Sequence, residues 1–117
     1  MDSQKIFLAS HEGYPVIFIE GDMTSDSDEN VMSLYSEAAK TSKILFLIFN
    51  FQKTTYINSA GIATLINVIQ EVNDSGGKVS FVGLSNHFLK VMDIVGISDF
   101  VDIFDTNDQA VSKINSK

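Results

Sequence analysis

A continuous apolar run near the middle of the chain constrains the fold more than any other feature. Residues Ile44 to Phe49 have the sequence Ile-Leu-Phe-Leu-Ile-Phe, with no polar residue at alternate positions. A strand with one solvated face alternates apolar and polar side chains, so an uninterrupted run predicts a strand covered on both faces. We therefore expect this segment at the centre of a mixed or parallel sheet with helices packed on it.

The residue patterns on both sides of this strand predict the other elements. The turn residues Glu12-Gly13-Tyr14-Pro15 separate two short strands, Ile6–Ala9 and Val16–Glu20. Apolar residues at spacings of three and four predict helices over Ser25–Ala39 and Ser59–Asp74. Further along the chain we predict a strand at Val79–Gly83, a helix at Asn86–Val95, a strand at Val101–Phe104 and a helix at Asp108–Ile114. This order predicts an α/β fold, with a mixed sheet of about five strands, mostly parallel at its centre, and four helices packed on it.

Length and composition exclude several classes of protein. A chain of 117 residues is long enough for one core, which predicts a single domain over residues 1–117. Without cysteine there is no thiol catalysis and no Cys-based metal site. The net charge is −7 and all eight basic residues are lysine, so we predict no nucleic-acid binding. A protein with a basic or apolar surface is the partner that such a chain favours.

The apolar segments are too short for a membrane protein. The longest run has six residues, against the roughly 20 that span a bilayer. The N-terminus lacks the basic segment and apolar core of a secretory signal. We expect no membrane association and a cytoplasmic location.

The segment Thr54–Ile62 joins the central strand to the helix that follows it, and it carries the candidate site. Ser59 lies where that helix leaves its first backbone N–H groups without partners, a position at which serine is a favoured cap. The positive end of the helix dipole would also tolerate an added anion. The loop Gly21–Thr24 is expected beside Ser59 if the second and third strands are neighbours, because sites in such sheets gather at the carboxyl ends of strands. Phe51 and Tyr56 are either partner contacts or a lid over the core.

Several segments, in their order along the chain, resemble the STAS domain that bacterial anti-sigma factor antagonists and sulfate-transporter tails share. They are Gly21-Asp22-Met23, the buried third strand, Tyr56-Ile57-Asn58-Ser59-Ala60-Gly61-Ile62, Lys78–Gly83, and Val91–Ile97 followed by Phe100 and Phe104. In that family the loop before the second helix usually has the sequence Asp-Ser-x-Gly, and an anti-sigma factor that is also a kinase phosphorylates its serine. The resemblance therefore implies that Ser59 is the phospho-acceptor. The chain departs from the family at Asn58, which replaces the usual aspartate, and at Thr24, where a second acidic residue commonly stands.

The function that this resemblance implies is a non-enzymatic, phosphorylation-controlled switch. An anti-sigma factor antagonist of this kind binds an anti-sigma factor with serine kinase activity while Ser59 is unphosphorylated, and a serine phosphatase resets it. The kinase supplies the nucleotide, so we predict no cofactor for this chain, and we expect a monomer or weak dimer. The implied docking surface around Ser59 consists of Asp22, Met23, Thr24, Asn58, Ala60 and Gly61.

Three alternatives remain open from the sequence. The first is a scaffold subunit of a larger stress-signalling assembly that uses the same surfaces. The second is a serine hydrolase, although Ile57 replaces the first glycine of a Gly-x-Ser-x-Gly elbow and only His11 and His87 could serve as bases. The third is a calcium loop over residues 26–37, in which Val31 occupies the position that requires glycine. We accordingly predict no metal site.

Overall fold

The computed structural model of the protein describes residues 4–40 and 45–116, and six strands and four helices lie within them. The strands are β1 (Lys5–His11), β2 (Tyr14–Met23), β3 (Phe46–Asn50), β4 (Thr54–Ile57), β5 (Lys78–Val82) and β6 (Asp102–Phe104). The helices are α1 (Asp28–Ala39), α2 (Ser59–Asp74), α3 (Asn86–Ile94) and α4 (Asn107–Asn115), with short 3₁₀ turns at Ser25–Ser27 and Ile97–Asp99.

The strands form one mixed sheet in the order β1-β2-β3-β5-β6, and β4 pairs with β2 outside this path. The pairings of β2 with β3, β3 with β5 and β5 with β6 are parallel, whereas β1 pairs antiparallel with β2. The predicted α/β sheet with a mostly parallel centre is confirmed. The second and third strands are neighbours, which is the condition under which the loop Gly21–Thr24 was expected beside Ser59.

Helices cover the central strand β3 on both faces. Leu47 and Phe49 belong to the larger core, to which α1, α2 and α3 also contribute. Ile48, between them in the chain, belongs to a second cluster with Ala110 and Val111 of α4. All three β3 side chains are completely buried, which explains why the run does not alternate. Ile44, the first residue of the predicted strand, lies outside the described residues.

The strand β4 was not predicted, since the sequence interpretation ran directly from the central strand to the helix. Thr54, Thr55 and Tyr56 are residue types that fit a strand, but their partner is distant in the chain. The pairing with β2 follows a register shift between Gly21 and Asp22, and Gly21 has φ +82°, a conformation that favours glycine. The first half of β2 therefore pairs with β3 and its end pairs with β4.

Other differences from the predicted boundaries are local. The first turn contains only Glu12 and Gly13, so Tyr14 and Pro15 already belong to β2. The residues Ser25–Ser27 form a 3₁₀ turn ahead of α1. The bounds predicted for α2 are those observed.

Candidate functional site

The start of α2 is stabilised by Asn58, and Ser59 follows it as the first helical residue. The Asn58 side-chain oxygen accepts a hydrogen bond from the backbone N–H of Gly61 at 2.9 Å. The interpretation of Ser59 as the helix cap was therefore wrong, because the neighbouring amide performs that task. The Ser59 side chain is exposed on the first turn of the helix.

The end of β2 lies beside the start of α2, as the sequence led us to expect. Asp22 and Met23 pair with Tyr56 and Ile57 of β4, and the backbone N–H of Asn58 donates to the Met23 carbonyl at 3.1 Å. These contacts bring residues 22–24 together with residues 58–61, the two segments that the sequence singled out.

Two residues of the implied docking surface lie inside the protein instead. The Met23 side chain is completely buried in the core, and Gly61 is buried as well. A Cβ atom on Gly61 would lie 2.7 Å from the Met23 carbonyl oxygen and 3.1 Å from Ile57 and Met23 side-chain atoms. The glycine thus permits α2 to approach β2 closely. We assign Met23 and Gly61 to the support of the site, because neither presents a side chain at the surface.

The loop after β2 is held by its own hydrogen bonds. The Thr55 hydroxyl donates to the Asp22 carboxylate at 2.9 Å, and the Gln4 side-chain amide donates to the Asp22 carbonyl at 2.8 Å. Thr24 and Ser27 form a capping box, in which the Thr24 N–H donates to the Ser27 hydroxyl at 2.9 Å and the Thr24 side chain accepts from the 3₁₀ turn. Asp22 and Thr24 are half-buried, in a loop with a defined backbone.

The surface around Ser59 also contains residues from the unpredicted strand β4. Thr55 is exposed, and Tyr56 is a large side chain with 53% of its area exposed. Phe51, by contrast, belongs to the core, where its ring packs on Phe49 and Phe81 at centroid distances of 6.2 and 5.0 Å. Of the two aromatic residues considered as partner contacts, only Tyr56 is available. The β-branched and aromatic run at Thr54–Ile57 was the sequence signal for this part of the site.

The described residues offer Ser59 no activating histidine. The His11 ring is hydrogen-bonded to the Asp108 carboxylate at 2.7 Å, at the N-terminal end of α4. His87 lies in the first turn of α3, where its ring packs against Phe88. Within the part of the chain that the structure describes, neither ring is hydrogen-bonded to Ser59. The roles that a hydrolytic triad needs are therefore not assembled around this hydroxyl.

Two groups of side chains bear on metal binding. In the segment considered as a calcium loop, Asp26 lies on a 3₁₀ turn and Glu37 lies far along α1, so the segment does not form such a loop. His11, Glu12 and Asp108 have ligand atoms within 4.8 Å of one another and could hold an ion. His11 ends β1, Glu12 lies in the turn after it and Asp108 lies in α4, so none of them belongs to the segments around Ser59. Among the described helices, none has the length and apolar character needed to cross a membrane.

Comparisons with known proteins agree with this architecture. A family model described as the STAS domain matches residues 5–110, so the chain belongs to the STAS domain family. The anti-sigma factor antagonist SpoIIAA in its unphosphorylated form is 17% identical, with a TM-score of 0.71 over 97% of this chain and 99% of that one. SpoIIAA of Bacillus in its phosphorylated form gives 18% identity and a TM-score of 0.75, over 94% and 99% of the two chains.

Structures of other proteins share the fold too. An anti-sigma factor antagonist from Mycobacterium paratuberculosis is 14% identical, with a TM-score of 0.81 over 97% of this chain and 95% of that one. A sulfate transporter family protein from Wolinella succinogenes is 16% identical, with a TM-score of 0.75 over 90% and 87%. At these identities the likeness establishes the fold, and the fold occurs in proteins of both kinds.

Proposed function

We propose that this chain is an anti-sigma factor antagonist, a non-enzymatic protein-binding switch controlled by phosphorylation of Ser59. The observation that carries the proposal is an exposed serine on the first turn of α2, beside the loop that ends β2, in a STAS domain. SpoIIAA, which has the same fold, has been solved in an unphosphorylated and a phosphorylated form. These two structures support the proposal that one fold accommodates both the unphosphorylated and the phosphorylated form.

The partner in this proposal is an anti-sigma factor with serine kinase activity, and a serine phosphatase reverses the modification. The docking surface consists of the residues of the site that reach the surface. These are Asp22, Thr24, Thr55, Tyr56, Asn58, Ser59 and Ala60.

Phosphorylation of Ser59 would block docking through charge. A phosphate adds roughly −1.5 to −2 charges at neutral pH. In an interface without a counter-ion, an unpaired buried charge costs about 3–5 kcal/mol, which corresponds to a loss of roughly two to four decades in affinity.

The chain itself is suited to carry that phosphate. The first turn of α2 contains no acidic residue, and its N-terminal end is the positive end of the helix dipole. Asn58 adds no charge next to Ser59 while it caps the helix. The switch therefore acts on the partner's affinity and leaves the fold in place.

Capture of partners from a lysate of the native host tests the proposal. The baits are the wild-type chain, Ser59→Ala, Ser59→Asp and the control Ser112→Asp, which adds the same charge at an exposed position of α4 on the other face of the sheet. We expect the wild type, Ser59→Ala and Ser112→Asp to recover an anti-sigma factor kinase and Ser59→Asp to lose it. Recovery of the same partners by all four baits would contradict the switch.

A further inference from the structure

An apolar surface lies at the C-terminal end of α2, away from Ser59, between this helix and the segment that follows α3. Ile66 and Ile69 of α2 face Val95, Ile97 and Phe100 across a groove of about 290 Å³. We call it the α2–α3 groove. Val95 is 44% exposed and Phe100 is 58% exposed, although both are large apolar side chains. Ile94, the residue just before Val95, is also apolar and is 78% exposed.

The groove is lined by negative charge. Asp74 lines it directly, together with the polar side chains of Gln70 and Asn73. Asp74 is the charged residue among those that line the groove, and Asp93 and Asp99 are exposed neighbours of its lining residues in the chain. Two lysines lie close to these residues in the chain: Lys78, which forms an ion pair with Asp102 at 4.0 Å, and Lys90, one turn before Ile94 on α3. The groove thus combines an apolar floor with an acidic rim.

We propose that the α2–α3 groove docks an amphipathic helix with basic flanks from a partner protein. An apolar helix face that lies in a hydrophobic groove is an established mode of peptide recognition. The apolar residues of such a helix would cover Val95 and Phe100, and its lysines or arginines would face Asp74, the carboxylate that lines the groove. Complementary charge of this kind favours encounter and excludes wrong partners.

The same charge disfavours the other possible occupants. A second copy of this chain has a net charge of −7 and would set one acidic rim against another. A fatty acid or an anionic membrane surface brings negative charge to the same rim. A helix with apolar and basic side chains is the occupant that matches both the apolar floor and the negative charge of the rim.

This surface is separate from the Ser59 site. Asn73 follows Ser59 by fourteen residues on the same helix, which places its backbone roughly 20 Å further along the axis. The groove therefore goes beyond the proposed switch and does not depend on it. Binding at the groove should be the same for the wild type and Ser59→Asp.

Nuclear magnetic resonance of the labelled full chain tests the proposal with defined probes. The first probe is an amphipathic peptide of about five helical turns with leucine on one face and lysine on the other, and the second has glutamate in place of each lysine. We expect the lysine peptide to shift the amide signals of Gln70, Gly96 and Ile97, and the glutamate peptide to bind roughly tenfold or more weakly. Raising the salt from about 0.05 to about 0.5 M should weaken the lysine peptide further.

Single substitutions show whether the lysine peptide binds at the groove or is attracted to the acidic protein as a whole. Phe100→Ser and Asp74→Lys should each lower the affinity of the lysine peptide roughly tenfold, whereas Tyr56→Ser, which removes an exposed aromatic residue near Ser59, should leave it unchanged. Equal binding of both peptides, or shifts outside the groove, would contradict the proposal. So would binding of phosphatidylglycerol vesicles at these amides, or concentration-dependent shifts of the same signals in the protein alone.

Discussion

At the level of single residues, two neighbours have different tasks at the start of α2. Asn58 caps the helix, and Ser59 presents an exposed hydroxyl. The Asn58 side chain satisfies the Gly61 N–H, a cap that typically contributes about 1 kcal/mol. Ser59 is not needed for that hydrogen bond, so a change to its hydroxyl leaves the cap intact. An aspartate in place of Asn58 would also cap the helix, but it would add a negative charge beside a phosphorylated Ser59. The uncharged amide avoids that repulsion.

Gly61 allows α2 to approach β2, and we expect Gly61→Ala to destabilise the protein. Alanine favours a helix over glycine by about 1 kcal/mol, but its Cβ would lie 2.7 Å from the Met23 carbonyl oxygen. Overpacking of this kind typically costs 1–3 kcal/mol, so after the gain in helix propensity the free energy of unfolding should fall by up to about 2 kcal/mol. Urea titration followed by circular dichroism measures the change.

The control for this experiment is Asn67→Ala, on an exposed position of the same helix. Here alanine gains helix propensity and meets no neighbour, so the free energy of unfolding should rise by a few tenths of a kcal/mol. A Gly61→Ala protein as stable as the wild type would mean that α2 can shift away from β2 without cost.

At the level of helices and strands, a buried hydroxyl connects α2 to α1. Thr64 is 1% exposed, and its hydroxyl donates to the Asp28 carboxylate at 2.6 Å. Thr64→Val keeps the shape and removes this charge-assisted hydrogen bond. Because Asp28 is exposed and can be solvated by water, we expect a loss of about 1–2 kcal/mol in the free energy of unfolding. Thermal and urea denaturation report the change.

A matched substitution on β4 shows whether burial determines how much such a hydrogen bond contributes to the free energy of unfolding. Thr55 also donates its hydroxyl to a carboxylate, that of Asp22 at 2.9 Å, but it lies at the surface. Thr55→Val should alter stability by less than about 0.5 kcal/mol, the usual range for surface substitutions. Equal losses for both variants would show that the α1–α2 contact contributes nothing beyond an ordinary surface hydrogen bond.

The elements that were predicted well are those whose signals are local. The apolar spacing of α2 lies within the helix and the pair Gly76-Gly77 follows soon after its end, and its bounds were predicted without error. The strand β4 depends on a bulge at Gly21, more than thirty residues earlier, so no local pattern specifies its pairing. The position of Met23 was missed for the same reason, because the register between β2 and β4 decides which side chains face the core. The closeness of residues 22–24 to Ser59 was predictable, since parallel strands end at the same edge of a sheet.

For the whole molecule, α2 connects two surfaces with different chemistry. Its N-terminal end presents a hydroxyl without acidic neighbours in the first turn, and its C-terminal half forms one wall of an apolar groove with an acidic rim. A partner that used both surfaces would gain from their fixed spacing, because α2 is one continuous helix. Phosphorylation of Ser59 would then weaken one contact and leave the other in place.

The same distribution of charge predicts that the isolated chain is a monomer. With a net charge of −7 and acidic residues around its exposed apolar groove, two copies repel each other where their apolar surfaces would meet. Sedimentation equilibrium at about 0.15 M salt should give a mass near 12.9 kDa at all concentrations. Ser59→Asp should have the same mass, because its added charge lies at the other end of α2. A stable complex of high mass, formed by the purified chain alone, would instead support the scaffold alternative.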